Sequence, residues 1–367
     1  MKSKAAVLYD IHEPLRVVSL DMDDPKSGEV RVKIGAAGIC LSDHHLMEGT
    51  GTTLRPVVLG HEGSGTVEEV GPGVTAVKPG DRCILSFVSN CGHCSTCRSG
   101  SPQLCLTNRA TGGRQFDGTT RLTDGEGQSV FQLSKIGVFS ERSVVPAQAC
   151  YPVAGDVPLE VLGLIGCCVT TGVGAVINNP FMKPGATVAV FGVGGVGTNV
   201  VQGARLMNAA KVIAVDLKQE KLDFVKRFGA TDLVNASEVD PVQAVRELSG
   251  GGVDFAFEVF GSGTTVSQCV DVLRPNGVAV VVGLAPELDR SSIEVTTLVR
   301  NQKVLMGSYY GSASPHETFA RILDFYQRGL LDVQGQITRR YPLEAINEAY
   351  DDLIAGKPGR GVLIPNG

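Results

Sequence analysis

The chain has 367 residues, 43% of them hydrophobic and 19% charged, which suits about two globular domains and excludes a disordered or low-complexity chain. Its formal net charge of −5 argues against a surface that binds nucleic acid or an anionic membrane. Neither a secretory signal in the first residues nor an apolar run approaching the ~18 residues of a membrane span is visible, so the sequence predicts a cytoplasmic protein.

The first 150 residues predict short antiparallel strands joined by turns. Polar and apolar residues alternate in segments 29–34 and 65–70, and pairs of glycine and proline mark the turns that follow. Segment 109–135 is polar and rich in glycine, which predicts an inserted surface loop. We therefore expect this part of the chain to form a mainly antiparallel, β-rich domain.

Residues 170–308 predict strands that alternate with helices. The six candidate strands are 187–191, 211–215, 233–234, 253–258, 277–282 and 303–306. A candidate helix at 218–228 places Leu222, Val225 and Phe228 on one face, and Gly229 follows where a helix commonly ends. Buried strands alternating with helices are typical of a doubly wound parallel sheet. After Tyr310 the sequence predicts two helices and a terminal strand at 361–364.

A glycine-rich turn follows the first of these candidate strands directly. Its glycines have the G-x-G-x-x-G spacing that opens a helix and lets the backbone approach a pyrophosphate. The amides at the start of that helix then face the phosphates. The residues of this predicted dinucleotide site are Gly192, Gly194, Gly195, Val196 and Gly197.

Asp216 ends the second strand, about 20 residues beyond the glycine turn, where an acid accepts hydrogen bonds from the adenosine ribose. Its carboxylate would repel a ribose 2′-phosphate, and Leu217 and Lys218 follow in place of an arginine. The pattern favours NAD over NADP, although an ordinary carboxylate at a strand end remains the alternative interpretation of Asp216.

The sequence holds ten cysteines, and without a secretory signal such residues indicate metal binding or burial more often than disulfides. Two Cys-x-x-Cys steps and a fourth cysteine can enclose one tetrahedral zinc ion, and a site with no open position is structural. These residues are Cys91, Cys94, Cys97 and Cys105. A redox motif is the alternative, but Gly92 and Ser95 indicate a loop. Four further cysteines are expected as buried apolar residues: Cys83, Cys150, Cys168 and Cys269.

Other residues capable of chemistry are dispersed along the chain. They occur in the segments GICLSDHH at 38–45, GHEG at 60–63 and GCC at 166–168. A catalytic zinc ion needs three protein ligands, commonly cysteine and histidine, and one open position.

With these motifs in order, the sequence resembles the zinc-dependent alcohol dehydrogenases of the medium-chain dehydrogenase/reductase superfamily over essentially its whole length. The matching stretches also include GHEGSGTVEEVGPGV at 60–74, KPGDR at 78–82 and LIGCCVTTGVGAV at 164–176. The resemblance implies a doubly wound Rossmann sheet at 170–309 and a GroES-like catalytic domain at 1–169 and 310–367.

The resemblance also implies the site residues. It assigns the catalytic zinc ligands to Cys40, His61 and Cys167, the last in preference to Cys168. It gives Asp43 the orientation of His61, Glu62 a place behind the zinc ion, and Ser42 and His45 the proton relay. A turn-capping Asp43, a loop serine and a solvated His45 are the alternatives. Coenzyme contacts are implied for Lys221 and Arg360.

Leu41 departs from the family, because many members place an arginine or histidine there against the coenzyme pyrophosphate. The implied substrate pocket is apolar and aromatic, with ordinary core packing as the alternative for each of its residues. These residues are Phe87, Phe139, Leu284 and Tyr309.

The expected function is NAD-dependent hydride transfer between a primary alcohol, aromatic or medium-chain, and its aldehyde, with one catalytic and one structural zinc ion per chain. The first alternative is a glutathione-dependent formaldehyde dehydrogenase, for which Arg109, Arg114 or Arg121 would supply the basic patch. A non-catalytic protein that binds NAD and zinc is a second alternative. The long 109–135 loop resembles that of dimeric members, so a homodimer is expected, with a tetramer as the alternative.

Overall fold

Two kinds of β-structure organise the chain, and the computed structural model describes all residues from Met1 to Gly367. The strands are β1 Lys2–Leu8, β2 Arg16–Met22, β3 Glu29–Gly38, β4 Val57–Val58, β5 Gly63–Val70, β6 Arg82–Leu85, β7 Leu122–Thr123, β8 Ser129–Gln132, β9 Arg142–Pro146, β10 Cys150–Pro152, β11 Thr187–Phe191, β12 Lys211–Asp216, β13 Asp232–Asn235, β14 Val253–Glu258, β15 Leu273–Val281, β16 Val304–Gly307, β17 Ile337–Tyr341 and β18 Arg360–Leu363. The helices are α1 Leu41–Met47, α2 Ser95–Arg98, α3 Leu106–Thr111, α4 Leu159–Leu164, α5 Thr170–Ile177, α6 Gly195–Leu206, α7 Gln219–Lys226, α8 Pro241–Leu248, α9 Gly263–Asp271, α10 Val295–Arg300, α11 Pro315–Gln327 and α12 Ile346–Ile354.

The β-rich part comprises a barrel and a second sheet. The barrel closes in the order β1-β2-β7-β8-β4, and the sheet runs β10-β6-β5-β3-β18-β17, with β9 also paired to β3. A core of 28 buried residues, mostly aliphatic, fills the space that these strands enclose. The C-terminal strands β17 and β18 therefore join the sheet built by the first part of the chain.

The central part of the chain, from β11 to β16, forms a six-stranded sheet in the order β13-β12-β11-β14-β15-β16, with every pair parallel. The central strands β11 and β14 are buried on both faces, as expected where helices cover both sides of a parallel sheet. The order reverses between β11 and β14, and a ligand binds at such a reversal, outside the carboxyl ends of the strands. The predicted doubly wound fold is confirmed, and all six candidate strands are present with small differences at their ends.

The prediction of a surface loop at 109–135 is wrong. Strands β7 and β8 lie in this segment and complete the barrel. Its polar side chains are also partly internal: Arg121 is fully buried against Glu29, and the buried Lys135 donates to the carbonyl oxygens of Asn108 and Gly112. Burial lowers the pKa of Lys135 to about 8. The two strands were not predicted because they are very short and lie in a segment that has charged residues and weak periodicity.

The chain also contains one long apolar helix that the sequence analysis did not recognise. Residues Leu159–Ile177 form a continuous helix of 19 residues that is long and apolar enough to cross a membrane. Within the fold, 89% of this segment is buried, so its apolar surface is covered by the protein itself. A π-helical turn, Ile165–Val169, interrupts it and carries two cysteines, and such turns are frequent at functional sites.

Candidate active site and metal centres

Three elements bring Cys40, His61 and Cys167 together. Cys40 is the N-cap of α1 directly after β3, His61 lies between β4 and β5, and Cys167 is on the π-helical turn. Their ligand atoms all lie within 4.8 Å of one another, and His61 Nε2 is 3.4 Å from Cys167 Sγ. All three side chains are buried. This donor set and geometry fit a catalytic zinc ion with an open fourth position.

Asp43 fixes the orientation of the imidazole. Its carboxylate is fully buried, lies 3.1 Å from His61 Nδ1 and accepts a hydrogen bond from the Gly60 amide at 3.0 Å. Burial alone would lower the pKa of His61, but the charges of Asp43 and Cys40 outweigh it and hold that pKa well above the usual value. Because Nδ1 faces Asp43, Nε2 is left to face the sulfurs.

The sulfur atoms of Cys40 and Cys167 lie within 4.8 Å of each other. This contact with Cys167 lowers the pKa of Cys40 well below its usual value, whereas the contact with Cys40, together with burial, raises the pKa of Cys167. A divalent cation binds cysteine as the thiolate, so a metal at this cluster would favour the deprotonated form of both sulfurs.

A buried ion pair lies behind the cluster. Arg360 Nη2 donates to Glu62 Oε2 at 2.6 Å, and both side chains are buried. Burial, only partly offset by the Arg360 charge, raises the pKa of Glu62 to about 7. Glu62 Oε1 has no hydrogen-bond partner. A Cβ atom added to Gly195 would lie 2.5 Å from Arg360 Nη1, so the guanidinium connects the cluster with the glycine turn.

The predicted relay residues both lie on α1. Ser42 Oγ is 3.7 Å from Cys40 Sγ. His45 follows three residues later, on the same helix face, and is half-buried. Burial lowers the pKa of His45 below its usual value, and the charge of the neighbouring His44 lowers it further.

A cavity of about 910 Å³ is lined by Phe87 and Tyr309, and Phe87 also packs against the metal ligand His61. The Phe87 ring packs edge-on against the His61 imidazole, with ring centres 5.4 Å apart, and against Tyr309 at 6.2 Å. An aromatic wall therefore leads from the metal ligands into the cavity. Further lining residues come from separate segments without a shared motif, so no sequence signal pointed to them: Thr52, Thr53, Asn108, Gly112 and Ser134.

Two other predicted pocket residues lie elsewhere. Phe139 is fully buried in the core of the β-rich part, where its ring packs against Gly60 and Tyr350, so its assignment to the pocket is corrected to a core residue. Leu284 follows β15 and is 57% exposed, outside the residues that line the cavity.

The four-cysteine loop forms a second cluster of ligands. The sulfurs of Cys91, Cys94, Cys97 and Cys105 lie within 4.8 Å of one another. Cys105 Sγ accepts hydrogen bonds from the amides of Cys91 and Asn108, both at 3.3 Å. Hydrogen bonds, first from Thr96, lower the pKa of Cys94 to about 5. Four cysteines this close together fit a tetrahedral structural zinc ion, and the short helix α2 within the loop corrects the expectation of a plain loop.

The glycine turn has the shape of a dinucleotide cradle. Gly192 has φ +89°, and a Cβ atom at Gly197 would collide with the Gly192 carbonyl oxygen, so both positions require glycine. Gly194 is open to space, which allows a phosphate to approach its backbone.

The predicted ribose acceptor lies beside this turn. Asp216 Oδ2 accepts from the Val193 amide at 3.0 Å, and Oδ1 accepts from the Lys218 amide at 3.1 Å. These bonds fix the carboxylate at the end of β12. The half-buried Lys221 follows on α7.

Fold and sites together define a class of protein, a dehydrogenase that binds zinc and a dinucleotide. Comparison with known proteins supports the same class. Residues 195–328 match the family model of zinc-binding dehydrogenases, and residues 26–155 match that of alcohol dehydrogenase GroES-like domains.

Similar proteins extend over the whole chain. The S-(hydroxymethyl)glutathione dehydrogenase of Saccharomyces cerevisiae is 37% identical over 99% of this chain and 96% of its own length. The class-3 alcohol dehydrogenase of Cereibacter sphaeroides is 36% identical over 99% of this chain and 100% of its own length. Among solved structures, benzyl alcohol dehydrogenase from Acinetobacter calcoaceticus has a TM-score of 0.91 at 31% identity, and each chain is covered to 99%.

The chain belongs to the zinc-dependent alcohol dehydrogenases of the medium-chain superfamily. It is an oxidoreductase that transfers hydride between an alcohol or aldehyde and NAD, with zinc as its metal. The resemblance, the reaction and the cofactors predicted from the sequence are confirmed, and the non-catalytic alternative finds no support.

Proposed function

We propose that this enzyme interconverts primary alcohols that carry an aromatic or medium-chain apolar group with their aldehydes. The observation that carries this proposal is the cavity beside the metal ligands, whose inner wall is formed by Phe87 and Tyr309. Burial of an aromatic or alkyl group against such a wall contributes roughly 25 cal/mol per Å² of apolar surface.

In this proposal Cys40, His61 and Cys167 hold the catalytic zinc ion, and the four-cysteine loop holds the structural one. Zinc supplies a Lewis acid that stabilises negative charge on the substrate oxygen, and NAD supplies the hydride acceptor. Asp43 keeps the His61 imidazole in one tautomer and one orientation.

Ser42 takes the proton of the substrate hydroxyl, and His45 passes it to solvent. Their positions on one face of α1 and the short distance from Ser42 to Cys40 support this relay. His45 acts in its neutral form, which its lowered pKa favours. The relay requires that both groups are held in a fixed geometry, and it involves no covalent intermediate.

The coenzyme lies on the glycine turn in this proposal. Asp216 accepts from the adenosine ribose, and Lys221 and Arg360 add positive charge near the coenzyme. The proximity of Arg360 to Gly195 supports its role at the pyrophosphate. Its ion pair with Glu62 connects coenzyme binding to the metal cluster.

S-(hydroxymethyl)glutathione is the second candidate substrate, favoured by the position of Arg109 on the cavity wall and by the activity for which the Saccharomyces cerevisiae relative is named. The other two proposed cations do not contribute: Arg121 is fully buried against Glu29, and Arg114 stacks on Phe131 at 5.0 Å. Glutathione carries two carboxylates and an ammonium group, whereas the residues lining the cavity include one guanidinium and no carboxylate.

The two candidates separate in one assay. NAD reduction is measured with benzyl alcohol, 1-hexanol and a mixture of formaldehyde and glutathione. We expect kcat/KM for the two alcohols to exceed that for the glutathione adduct at least about tenfold. A preference for the adduct that Arg109→Ala abolishes would reverse the assignment.

We also infer a division into a catalytic domain, residues 1–169 and 310–367, and a nucleotide domain, residues 170–309. Strands β17 and β18 pair with the N-terminal sheet, whereas the parallel sheet lies within the central segment, and both support these boundaries. All ten cysteines are free, which supports a cytoplasmic location.

A homodimer completes the proposal. Strand β16 is the edge of the parallel sheet, and apolar side chains on it and on α10 are unusually exposed: Val295 by 70%, Val299 by 68% and Leu305 by 40%. An unprotected strand edge flanked by apolar residues is suited to pairing with a second copy.

A further inference from the structure

A buried glutamate ends the central strand β14. Glu258 is fully buried, and its Oε2 atom has no hydrogen-bond partner. Burying a carboxylate costs free energy that hydrogen bonds only partly offset. Such a residue therefore needs an explanation beyond packing.

The other carboxylate oxygen holds the turn between β14 and α9. Glu258 Oε1 accepts hydrogen bonds from the amides of Phe260 at 3.0 Å and Gly261 at 2.7 Å, and from Thr265 Oγ1 at 2.7 Å. Bonds from two successive amides to one oxygen fix the path of the backbone between them. They also determine where the Phe260 side chain stands.

The neighbouring loop rests on the same residue. The Glu258 carbonyl oxygen accepts from the amides of Val282 at 2.8 Å and Gly283 at 3.1 Å. A Cβ atom at Gly283 would lie 2.8 Å from Glu258 Oε2, so the loop passes close over the carboxylate. Glu258 thus supports the turns that follow both β14 and β15.

The first of these turns faces the glycine motif. A Cβ atom at Gly192 would lie 3.1 Å from the amide nitrogen of Phe260 and 3.2 Å from its Cβ atom. Strands β11 and β14 are neighbours at the point where the strand order reverses. The crevice at that point receives the dinucleotide, so Phe260, 57% exposed, stands opposite the glycine turn as its second wall.

We propose that Glu258 is a positioning residue for the coenzyme, which holds the turn at Phe260 and Gly261 in the conformation that NAD binds. It acts through this turn and touches neither substrate nor the reacting atoms. Removing it lowers coenzyme affinity while the metal cluster and the hydride-transfer step remain intact.

The test measures NADH affinity directly, by NADH fluorescence, beside steady-state kinetics and zinc content. In Glu258→Ala, the Kd for NADH and the KM for NAD should both rise about tenfold, because the turn loses three hydrogen bonds to a charged group. kcat should change less than about threefold, and the zinc content should stay that of the wild type. Glu258→Gln keeps an acceptor oxygen for the turn and should bind NADH within about twofold of the wild type.

Asp254 provides a matched control at the opposite end of the same strand. It is a buried carboxylate that accepts from the Thr187 amide at 2.8 Å, far from the glycine turn. Asp254→Ala should lower thermal stability without changing the Kd for NADH. An equal loss of NADH affinity in both variants, or an unchanged Kd in Glu258→Ala, would overturn the proposal. If Glu258→Ala does not fold, Thr265→Val decides the question: about threefold weaker NADH binding supports the proposal, and an unchanged Kd refutes it.

Discussion

At the scale of single residues, the coenzyme site lacks a cation next to the first metal ligand. Leu41 is 39% exposed at the start of α1, where many family members carry arginine or histidine. Arg360 is already engaged with Glu62, so the pyrophosphate receives less positive charge than two free cations would supply. Weaker retention of NADH is the expected consequence.

Leu41→Arg should therefore tighten NADH binding about tenfold, since an arginine adds a charge-assisted bond to a phosphate. If NADH release limits turnover, kcat should fall by a similar factor. The Kd for NADH, measured by fluorescence at two salt concentrations, checks this, because the added ionic contact should make binding more salt-dependent. Leu41→Met is the neutral control, and tighter binding in that variant would contradict an electrostatic cause.

If His45 passes the proton to solvent as proposed, the acid limb of alcohol oxidation should depend on it. A lowered pKa keeps this imidazole neutral, and able to accept a proton, to a pH below the ordinary histidine value of about 6.5. His45→Gln removes the acceptor, so kcat should fall most at low pH, where hydroxide is scarce, and recover as the pH rises. His44→Gln should keep the limb and move it to higher pH, because His44 helps to lower the pKa of His45. Parallel pH profiles for the wild type and His45→Gln would exclude His45 from the relay.

At the scale of elements, the four-cysteine loop has little structure of its own. It holds a four-residue helix, α2, a single 3-10 turn at Pro102–Leu104 and no strand, so we expect its conformation to depend on the metal. Cys97→Ser should reduce the zinc content from about two to about one ion per chain and lower the thermal midpoint. Because Cys105 leads directly into α3, which borders the cavity, KM for the alcohol should also rise. Metal analysis and thermal unfolding check this, and a variant with two zinc ions would contradict the assignment.

How far the sequence predicts an element depends on what stabilises that element. Strands β11 and β14 are mostly apolar and largely buried on both faces, and their predicted ends match the structure. Strand β17, ITRRY, was not predicted, because its two arginines are compatible with a loop and only pairing with β18 makes it a strand. Strands β7 and β8 were not predicted for the same reason, because pairing with their neighbours in the barrel is what makes these segments strands.

Site residues follow a similar rule. The metal ligands were predictable because cysteine and histidine in ordered motifs are uncommon outside metal sites. The place of Phe139 in the core was not predictable, because the sequence around an apolar residue near a motif is the same whether it lines a pocket or packs in the core. Glu258 gave no signal at all, because its role arises only from two turns that meet above it.

At the scale of the whole molecule, polar contacts join the two halves close to the active site. Asn199 on α6 and Gln336 exchange two side-chain hydrogen bonds, at 2.8 and 3.0 Å, and both are buried. Arg360, which is paired with Glu62 in the catalytic domain, lies against Gly195 at the start of α6 and forms a second connection. Helix α6 begins at the glycine turn, so coenzyme on that turn and metal in the cluster share one continuous set of contacts.

The same sheet that binds the coenzyme leaves its β16 edge open, and this edge sets the last prediction. If two copies pair there, a double substitution Val299→Lys and Leu305→Lys places like charges on both sides of the interface and should convert a dimer to a monomer. Light scattering at several protein concentrations measures the mass. Val239→Lys, 51% exposed near the opposite edge of the sheet, is the matched control and should leave the dimer intact. A double variant that stays dimeric would move the interface away from β16.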